Sequence, residues 1–238
     1  MENLGENELP WVYSGQYQGD MVLSEAQAMS INSRNGLVNV IKRWPKVIPY
    51  VMEHHTWAEQ KYIRKALDHL EMLSCLKFVP RTYEEDYIDI TNEDLGCFAY
   101  VGRSPGRNQL NIAPGWNGVI GDGCMLTSVI HHEMLHTLGF YHMQSSWDRD
   151  YYIDIQWDNI SEGSHTQFEM FNHTIVSHFD IPYDYRSVMH YPKISNAIDW
   201  EKPTIITKDP AYQDIIGQNA GMSRRDIERL NRMYECSL

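Results

Sequence analysis

The sequence predicts an α+β fold, because strand-like runs fill much of its first half while helical patterns are few. Four short runs rich in β-branched and aromatic residues indicate strands at residues 46–51, 87–91, 97–102 and 109–113. Helical apolar spacing appears between the first two runs and returns near residues 127–138 and 223–234. Residues 143–222 are rich in Asp, Asn, Tyr and Pro with little periodicity, so we expect mostly irregular structure there.

The helices carry their own start and stop signals. Thr56 and Glu59 form a capping-box pattern, in which each side chain bonds the backbone N–H of the other residue at the start of a helix. The apolar residues predicted to be buried along that helix are Ile63, Leu67, Leu70 and Leu73. A second helix should begin near Thr127 and stop at Gly139, since glycine accepts the positive φ required after a helix C-terminus.

Length and charge narrow the possible functions. The 238 residues can form one large domain or two modest lobes, and either can bury a core. The net charge of −12 argues against a nucleic-acid backbone or an anionic membrane as the main partner. No apolar run approaches the length of a membrane-spanning helix, and the first ten residues have neither the basic nor the apolar region of a signal peptide.

The cysteines and two glycosylation sequons nevertheless predict a secreted, extracellular protein. The four cysteines are Cys75, Cys97, Cys124 and Cys236. Their even number and wide spacing favour two disulfides over a zinc cluster, which normally shows pairs such as C-x-x-C. Asn159 and Asn172 each begin an N-x-[ST] triplet, the acceptor pattern for N-glycosylation.

Residues 131–142 read HHEMLHTLGFYH and predict a metal site. His132 and His136 are four residues apart, so on a helix they lie on one face, where two imidazoles can bind one zinc ion. Glu133 is next to the first histidine, where its carboxylate can reach a water on the metal rather than the metal itself. Gly139 ends the helix and lets the chain turn back, so that His142 can approach as a third ligand.

Chance is the alternative explanation of this pattern. A bare H-E-x-x-H arises by chance in partly exposed helices, but the extended form H-E-x-x-H-x-x-G-x-x-H makes chance remote. Three histidines leave a fourth position open on zinc, which is typical of a catalytic rather than a structural site. The remaining histidines of interest match no ligand spacing, and we expect structural or solvent-facing roles for them: His54, His55, His131 and His190.

The run from His132 to Ile153, HEMLHTLGFYH followed after four residues by WDRDYYI, resembles the signature of the astacin family of metzincin metallopeptidases. SVMHY at residues 187–191 resembles the family's Met-turn. Further matches are GCFAYVGR at 96–103, KFVPR at 77–81, IGQ at 216–218 and the terminal ECSL. The likeness covers most of residues 35–238.

The resemblance implies a two-lobed catalytic domain over residues 35–238. Residues 35–139 would form the upper lobe, a twisted and mostly parallel sheet with two helices, one of them carrying the zinc motif. Residues 140–238 would form a largely irregular lower lobe that holds the Met-turn and ends in a helix. The implied assembly is a monomer.

The resemblance also assigns roles. The implied ligands of one catalytic Zn²⁺ are His132, His136 and His142. Glu133 is the implied general base, and Tyr191 a switchable zinc ligand that stabilises the transition state. Met189 supports the site without binding metal; from the residues alone it would be an ordinary core methionine, and Tyr191 a surface aromatic.

Substrate and disulfide positions follow from the same resemblance. An extended protein or peptide substrate would lie antiparallel to an edge strand made of Cys97, Phe98, Ala99 and Tyr100. The implied disulfides pair Cys97 with Cys124 and Cys75 with Cys236. Astacins usually carry Glu directly after the third histidine, linked to the mature N-terminus. This chain has Met143, and a thioether cannot form that charged contact.

The leading segment, residues 1–34, precedes the family match and is predicted to be an inhibitory pro-segment. YQGD, from Tyr17 through Gly19 to Asp20, resembles the astacin pro-segment motif F-x-G-D with Tyr in place of Phe. Asp20 would then be a zinc ligand that keeps the protein latent; the alternative is an ordinary glycine turn with a solvated aspartate. Arg34 followed by Asn35 offers a cleavage site to an activating trypsin-like protease.

The sequence therefore predicts a latent, secreted zinc endopeptidase. Two other classes compete with it: a catalytically silent zinc-binding adhesion or interaction module, and a different zinc hydrolase such as an amidase of small molecules. The intact carboxylate of Glu133 argues against the first, because a silent module has no chemical need for it. The implied peptide-binding edge strand argues against the second.

Overall fold

The structure is a computed structural model that describes residues 14–25, 27–29, 43–115, 118–173 and 177–237. The predicted α+β class is confirmed: strands dominate the first half, and the second half is mostly irregular before a final helix. The predicted cleavage site between Arg34 and Asn35 lies outside the described residues.

A six-stranded sheet forms the upper half of the molecule. Its strands are β1 (Met21–Val22), β2 (Val47–Val51), β3 (Lys77–Pro80), β4 (Tyr87–Thr91), β5 (Cys97–Tyr100) and β6 (Arg107–Ile112). They are arranged in the order β1-β5-β6-β4-β2-β3, and every neighbouring pair is parallel except β5 with β6. The sheet contains two strands that the pattern of apolar residues did not predict, β3 at one edge and β1 of the leading segment at the other.

The α-helices lie at α1 (Trp57–Leu73), α2 (Thr127–Thr137) and α3 (Arg224–Met233). Helix α1 begins at the predicted capping box, in which Glu59 Oε2 accepts from Thr56 N at 2.8 Å. Ile63, Leu67 and Leu70 are fully buried, whereas Leu73, predicted to join them, is only half-buried because it ends the helix. Of the described helices, none is long and apolar enough to cross a membrane.

One hydrophobic core joins the sheet to all three helices. Helix α2 packs against α1 and against strands β5 and β6. Fully buried members of this core include Ile48, Leu67, Ile90, Leu110, Ile130 and Leu230. Because α2 is buried along almost its whole length, its position is fixed by the sheet on which it rests.

The lower half is held by a short antiparallel pair, β7 (Ile153–Ile155) with β8 (Ile205–Thr207), and by single turns of 3₁₀-helix. A second apolar cluster lies here; its buried members include Ile153, Phe168, Tyr183, Tyr191 and Ile205. These buried residues come from short strands, single 3₁₀ turns and loops, so no helical or strand period runs through this part of the sequence.

Two disulfides join the elements in the pairs that the resemblance implied. Cys75, after α1, is bonded to Cys236, after α3, across a sequence separation of 161 residues. Cys97 of β5 is bonded to Cys124 in the turn before α2. The second bond therefore links the edge strand of the sheet to the start of the helix that carries the histidine motif.

Candidate metal centre

Helix α2 positions the first two histidines. His132 and His136 lie one helical turn apart on the same face, and their Nε2 atoms are 3.1 Å from each other. Both side chains are fully buried. The i, i+4 spacing thus places two imidazole nitrogens at one point inside the protein.

The end of α2 brings in the third histidine. Gly139 has φ +107°, a left-handed conformation that turns the chain back, and its N–H donates to His136 O at 2.8 Å. His142 then lies with its Nε2 3.2 Å from that of His136 and 3.4 Å from that of His132. The glycine turn therefore closes the triangle of ring nitrogens.

The opposite ring nitrogens show which atoms carry hydrogen. The Nδ1 atoms of His132, His136 and His142 face Val188 O at 2.8 Å, Phe140 O at 2.8 Å and Gln18 Oε1 at 3.2 Å. A carbonyl oxygen only accepts, so each Nδ1 is a donor and each Nε2 of a neutral ring presents a lone pair. Burial favours the neutral ring: it lowers the pKa of His136, and it lowers the pKa of His142 to about 4.

Asp20 of the leading segment completes the group. Its Oδ2 lies 3.0 Å from His132 Nε2 and 3.2 Å from His142 Nε2, and its Oδ1 lies 3.4 Å from His136 Nε2. Asp20 is 0% exposed. One ligand atom from each of the four residues falls within 4.8 Å of all the others.

This arrangement fits a zinc ion. Buried lone pairs that face one another without hydrogen between them repel, and a shared cation relieves that repulsion. Tetrahedral zinc with Zn–N bonds of about 2.0–2.1 Å holds its ligand nitrogens about 3.3 Å apart. The observed separations of 3.1–3.4 Å agree with that value.

Glu133 follows the first histidine and is fully buried beside the cluster. Within the described part of the chain, neither of its carboxylate oxygens has a hydrogen-bond partner. Burial raises the pKa of Glu133 well above its usual value, and the charge of Asp20 raises it further. A buried carboxyl group left without a partner is costly for stability, and such a cost is typical of a reacting group.

The Met-turn supplies two more predicted residues. Met189 is buried in the main core, and its carbonyl oxygen accepts from Met143 N at 2.9 Å. The ring of Tyr191 lies 4.7 Å from that of His142, and its hydroxyl donates to the carbonyl oxygen of Gln18. Burial raises the pKa of Tyr191 well above its usual value. In this structure, the Tyr191 hydroxyl is held by the leading segment.

The leading segment is docked on the edge of the sheet. Strand β1 pairs with β5 in parallel, with Met21 opposite Ala99, and Ala99 N donates to Asp20 O at 2.8 Å. Gly19 has φ +86°, which lets the backbone turn tightly just before Asp20. The predicted edge strand is therefore covered by residues that the motif YQGD places there.

Side chains of the leading segment fill an apolar site next to the metal ligands. Met21 is fully buried in a cluster with Val101, Tyr141 and Phe171, and Tyr17 packs against it. The rings of Tyr141 and Phe171 lie 4.7 Å apart. The segment is thus anchored by apolar contacts as well as by Asp20.

Comparison with known proteins shows the family to which this site belongs. A family model described as Astacin, a family of peptidases, matches residues 36–235. The chain belongs to the astacin family. Zinc is the catalytic metal of astacins, and the buried three-histidine group is able to bind it.

The relatives of this astacin chain include longer proteins. Zinc metalloproteinase nas-8 of Steinernema carpocapsae is 35% identical over 226 residues, which cover 92% of this chain and 52% of nas-8. Meprin A subunit beta of Homo sapiens is 36% identical over 223 residues, covering 93% of this chain and 30% of the meprin subunit. The chain therefore spans about half of the first relative and less than a third of the second.

A solved structure also matches. High choriolytic enzyme 1, a hatching enzyme zinc-protease from Oryzias latipes, superimposes with a TM-score of 0.73 at 35% identity. The match covers 83% of this chain and 94% of that chain.

Two residues around the astacin site were missed by the sequence analysis. Gln18 is the second residue of the motif YQGD and contacts both His142 and Tyr191. Asp226 accepts from Ser187 Oγ at 2.6 Å and from Val188 N at 2.9 Å, so it fixes the chain whose carbonyl faces His132. A sequence pattern could have pointed to Asp226, since Ser223-x-x-Asp226 forms the capping box of α3. No sequence pattern indicates the contacts of Gln18.

Met143 lies where most astacins have Glu. Its side chain is 7% exposed and packs in the lower apolar cluster with Ile153, Tyr183 and Ile216. This environment suits a thioether and would penalise an unpaired charge. The substitution is therefore matched by the packing around it.

The four histidines that match no ligand spacing lie outside the metal-binding group. His131 Nε2 faces Ala66 O at 3.1 Å, and burial lowers the pKa of His131 to about 4. His55 Nε2 faces Ile112 O at 3.2 Å, and His190 Nε2 is 2.8 Å from Tyr183 Oη. His54 is exposed.

The two sequons differ in what the structure describes. Asn159 Nδ2 donates to Asp199 O at 3.1 Å and to Lys202 O at 2.8 Å, so both of its amide hydrogens are engaged in the folded chain. Asn172 is described, but Thr174, which completes its triplet, lies outside the described residues. Glycosylation at both asparagines stays a prediction.

Proposed function

We propose that this chain is a latent, secreted zinc endopeptidase that hydrolyses peptide bonds in proteins. The observation that carries the proposal is the convergence of three buried imidazole Nε2 atoms beside a buried carboxylate that has no hydrogen-bond partner among the described residues. His132, His136 and His142 would hold the zinc ion. Glu133, one residue from the first ligand, would supply the base.

Each residue then has a defined part in the reaction. A zinc ion held by the three histidines would lower the pKa of a water molecule toward about 7 and would polarise the peptide carbonyl. Glu133 accepts the proton from the attacking water and returns it to the departing amine. The Tyr191 hydroxyl donates a hydrogen bond to the oxygen on which negative charge develops, once the leading segment has released it.

The substrate would bind along β5. Cys97, Phe98, Ala99 and Tyr100 present backbone groups that an extended peptide can bond, so recognition would depend on conformation more than on sequence. By its family resemblance the substrate runs antiparallel to this strand, whereas β1 of the leading segment runs parallel to it. The leading segment would thus block the edge with its peptide bonds in the opposite direction from those of a substrate.

Latency would come from residues 1–34 as the pro-segment of a catalytic domain over 35–238. Asp20 lies among the three histidines, where it would occupy the position that the attacking water needs, and the carbonyl oxygen of Gln18 accepts from the hydroxyl of Tyr191. Cleavage after Arg34 by a trypsin-like protease would free Asn35 as the mature N-terminus and let Asp20 leave. The two disulfides support extracellular secretion as the setting.

Casein digestion provides the test. The full-length chain should be inactive; after treatment with trypsin, followed by a trypsin inhibitor, it should digest casein, and a zinc chelator should abolish the digestion. If the trypsin-treated, zinc-loaded protein cleaves no protein or peptide, the chain is better explained as a zinc-binding adhesion or interaction module.

Asp20→Ala tests the latch separately. The full-length variant should digest casein before any cleavage, because the alanine cannot fill the position on the metal. A variant that stays as inactive as the wild-type precursor, while its trypsin-treated form is active, would show that the segment blocks the cleft by bulk and not through Asp20.

A further inference from the structure

We infer that Gln18 is a positioning residue for the metal site of the latent chain. The leading segment would therefore help to retain the zinc ion, in addition to blocking the active site. This inference rests on the proposed zinc site. It concerns a residue that touches the outer nitrogen of a ligand and would not touch the metal.

The side chain of Gln18 is placed for this role. It is 1% exposed, and its Oε1 accepts from His142 Nδ1 at 3.2 Å and from Ser145 Oγ at 3.2 Å. Its Nε2 donates to Glu169 O at 3.4 Å, which orients the amide so that the oxygen faces the histidine. Both ends of the amide are therefore engaged, and the ring of His142 is held in one tautomer.

The three ligands differ in where their outer partner comes from. His132 and His136 bond to Val188 O and Phe140 O, main-chain groups of the region that stays after cleavage at Arg34. His142 bonds to Gln18, which leaves with the leading segment. Removal of the segment thus takes away the outer partner of one ligand and leaves those of the other two.

The backbone of Gln18 indicates that this contact is specific. Gln18 has φ +46°, a left-handed conformation that is costly for a residue with a side chain and persists where surrounding contacts determine it. Its carbonyl oxygen accepts the hydroxyl of Tyr191. One residue therefore holds a metal ligand through its side chain and the Met-turn tyrosine through its backbone.

The expected size of the effect follows from other metal sites. An outer hydrogen-bond partner fixes the orientation of a ligating histidine and raises its basicity, and its loss typically weakens metal affinity by about 10- to 100-fold. Replacing Gln18 should weaken zinc binding by about that factor while Asp20 and the three histidines are all still present.

The experiment measures zinc affinity in the uncleaved full-length chain by competition with a chelator. Gln18→Met keeps an unbranched side chain of similar length and removes both polar atoms, while the backbone carbonyl that holds Tyr191 remains. The matched control is Gln27→Met. Gln27 is another buried glutamine of the leading segment, 2% exposed, whose Nε2 donates to Val101 O at 2.9 Å and which bonds no metal ligand.

Only the Gln18 variant should lose about 10- to 100-fold in zinc affinity. The visible spectrum of the cobalt-substituted precursor should change in the same variant and not in the control, because it reports the ligand geometry. If Gln18→Met binds zinc within twofold of the wild type, or if both variants lose affinity equally, the positioning role is wrong. Equal losses would mean that either change simply undocks the segment.

The proposed function is tested separately, on the trypsin-treated proteins. After trypsin has removed the leading segment, the wild type and both variants are the same protein and should digest casein at the same rate. If none of the three digests casein, the proposed function fails, whereas the zinc affinities of the precursors still decide the role of Gln18.

Discussion

Helix α2 and the leading segment both deliver buried groups to the same cluster, but they reach it by different means. Helix α2 places His132 and His136 by its own regular spacing, with hydrogen bonds between neighbouring turns. Asp20 is 112 residues away from His132 in sequence and reaches it through a two-residue strand and an apolar side chain. The helix part of the site is therefore set by local geometry, and the segment part by docking, which the proposed cut after Arg34 would reverse.

The largest expected effect comes from the helix side of this comparison. Glu133→Gln should lower kcat of the trypsin-treated enzyme by roughly 10²- to 10⁴-fold, because the base that accepts the proton is lost. Zinc content should stay stoichiometric, since the three histidines remain. Steady-state peptide cleavage with metal analysis checks both points, and near wild-type turnover by the zinc-loaded variant would exclude Glu133 as the base.

Tyr191→Phe should affect both catalysis and the docking of the leading segment. In the activated enzyme it should lower kcat by about 10²-fold with little change in KM, because the hydroxyl acts mainly in the transition state. In the precursor it should weaken docking of the leading segment, since the bond to Gln18 is lost. An effect confined to KM would show that Tyr191 only positions the substrate.

Met21→Asp tests the docking alone. A carboxylate forced into the apolar site among Val101, Tyr141 and Phe171 should undock the segment and raise the activity of the uncleaved precursor about tenfold or more. The matched control is Val22→Asp, since Val22 is only half-buried on the same strand. Equal activities of the two precursors would show that the apolar site does not hold the segment.

The smallest effect is expected far from the site. Thr56→Ala removes the side-chain cap of α1 and should lower the free energy of unfolding by about 1 kcal/mol. For a chain of this length, Tm should fall by about 2–4 °C, measured by thermal unfolding, with kcat/KM unchanged. Thr56→Ser keeps the hydroxyl and should restore most of the stability; a loss of activity in Thr56→Ala would contradict this separation of cap and site.

The same contrast explains what could be predicted from the sequence. The capping box of α1, the histidines of α2 and the glycine that ends it are local patterns, and the structure places them as expected. Strand β3 was missed because it is short and has only one fully buried side chain, Phe78. A pattern within one segment cannot show which distant strand it will join, so the pairing of β1 with β5 was missed too.

Residues whose contacts are distant in sequence were harder to predict. Nothing about Gln18 in sequence shows that its amide will meet His142, 124 residues later. Asp226 contacts the Met-turn across about 40 residues of sequence. Only its part in the capping box of α3 can be predicted from neighbouring residues. The contacts of such residues can be identified only when the packing of the two lobes is known.

The Cys75–Cys236 bond has a consequence for what other proteases can do to this molecule. It joins two cysteines that lie 161 positions apart in the sequence and so closes a covalent ring. A single nick anywhere inside that ring leaves the fragments attached, so they would separate on a gel only after reduction. Arg34 lies outside the ring, and a cut there would leave the residues before it without a covalent link to the rest of the chain. A cut before Cys75 thus separates a fragment from the rest of the chain, whereas a cut between Cys75 and Cys236 leaves both fragments joined by the disulfide.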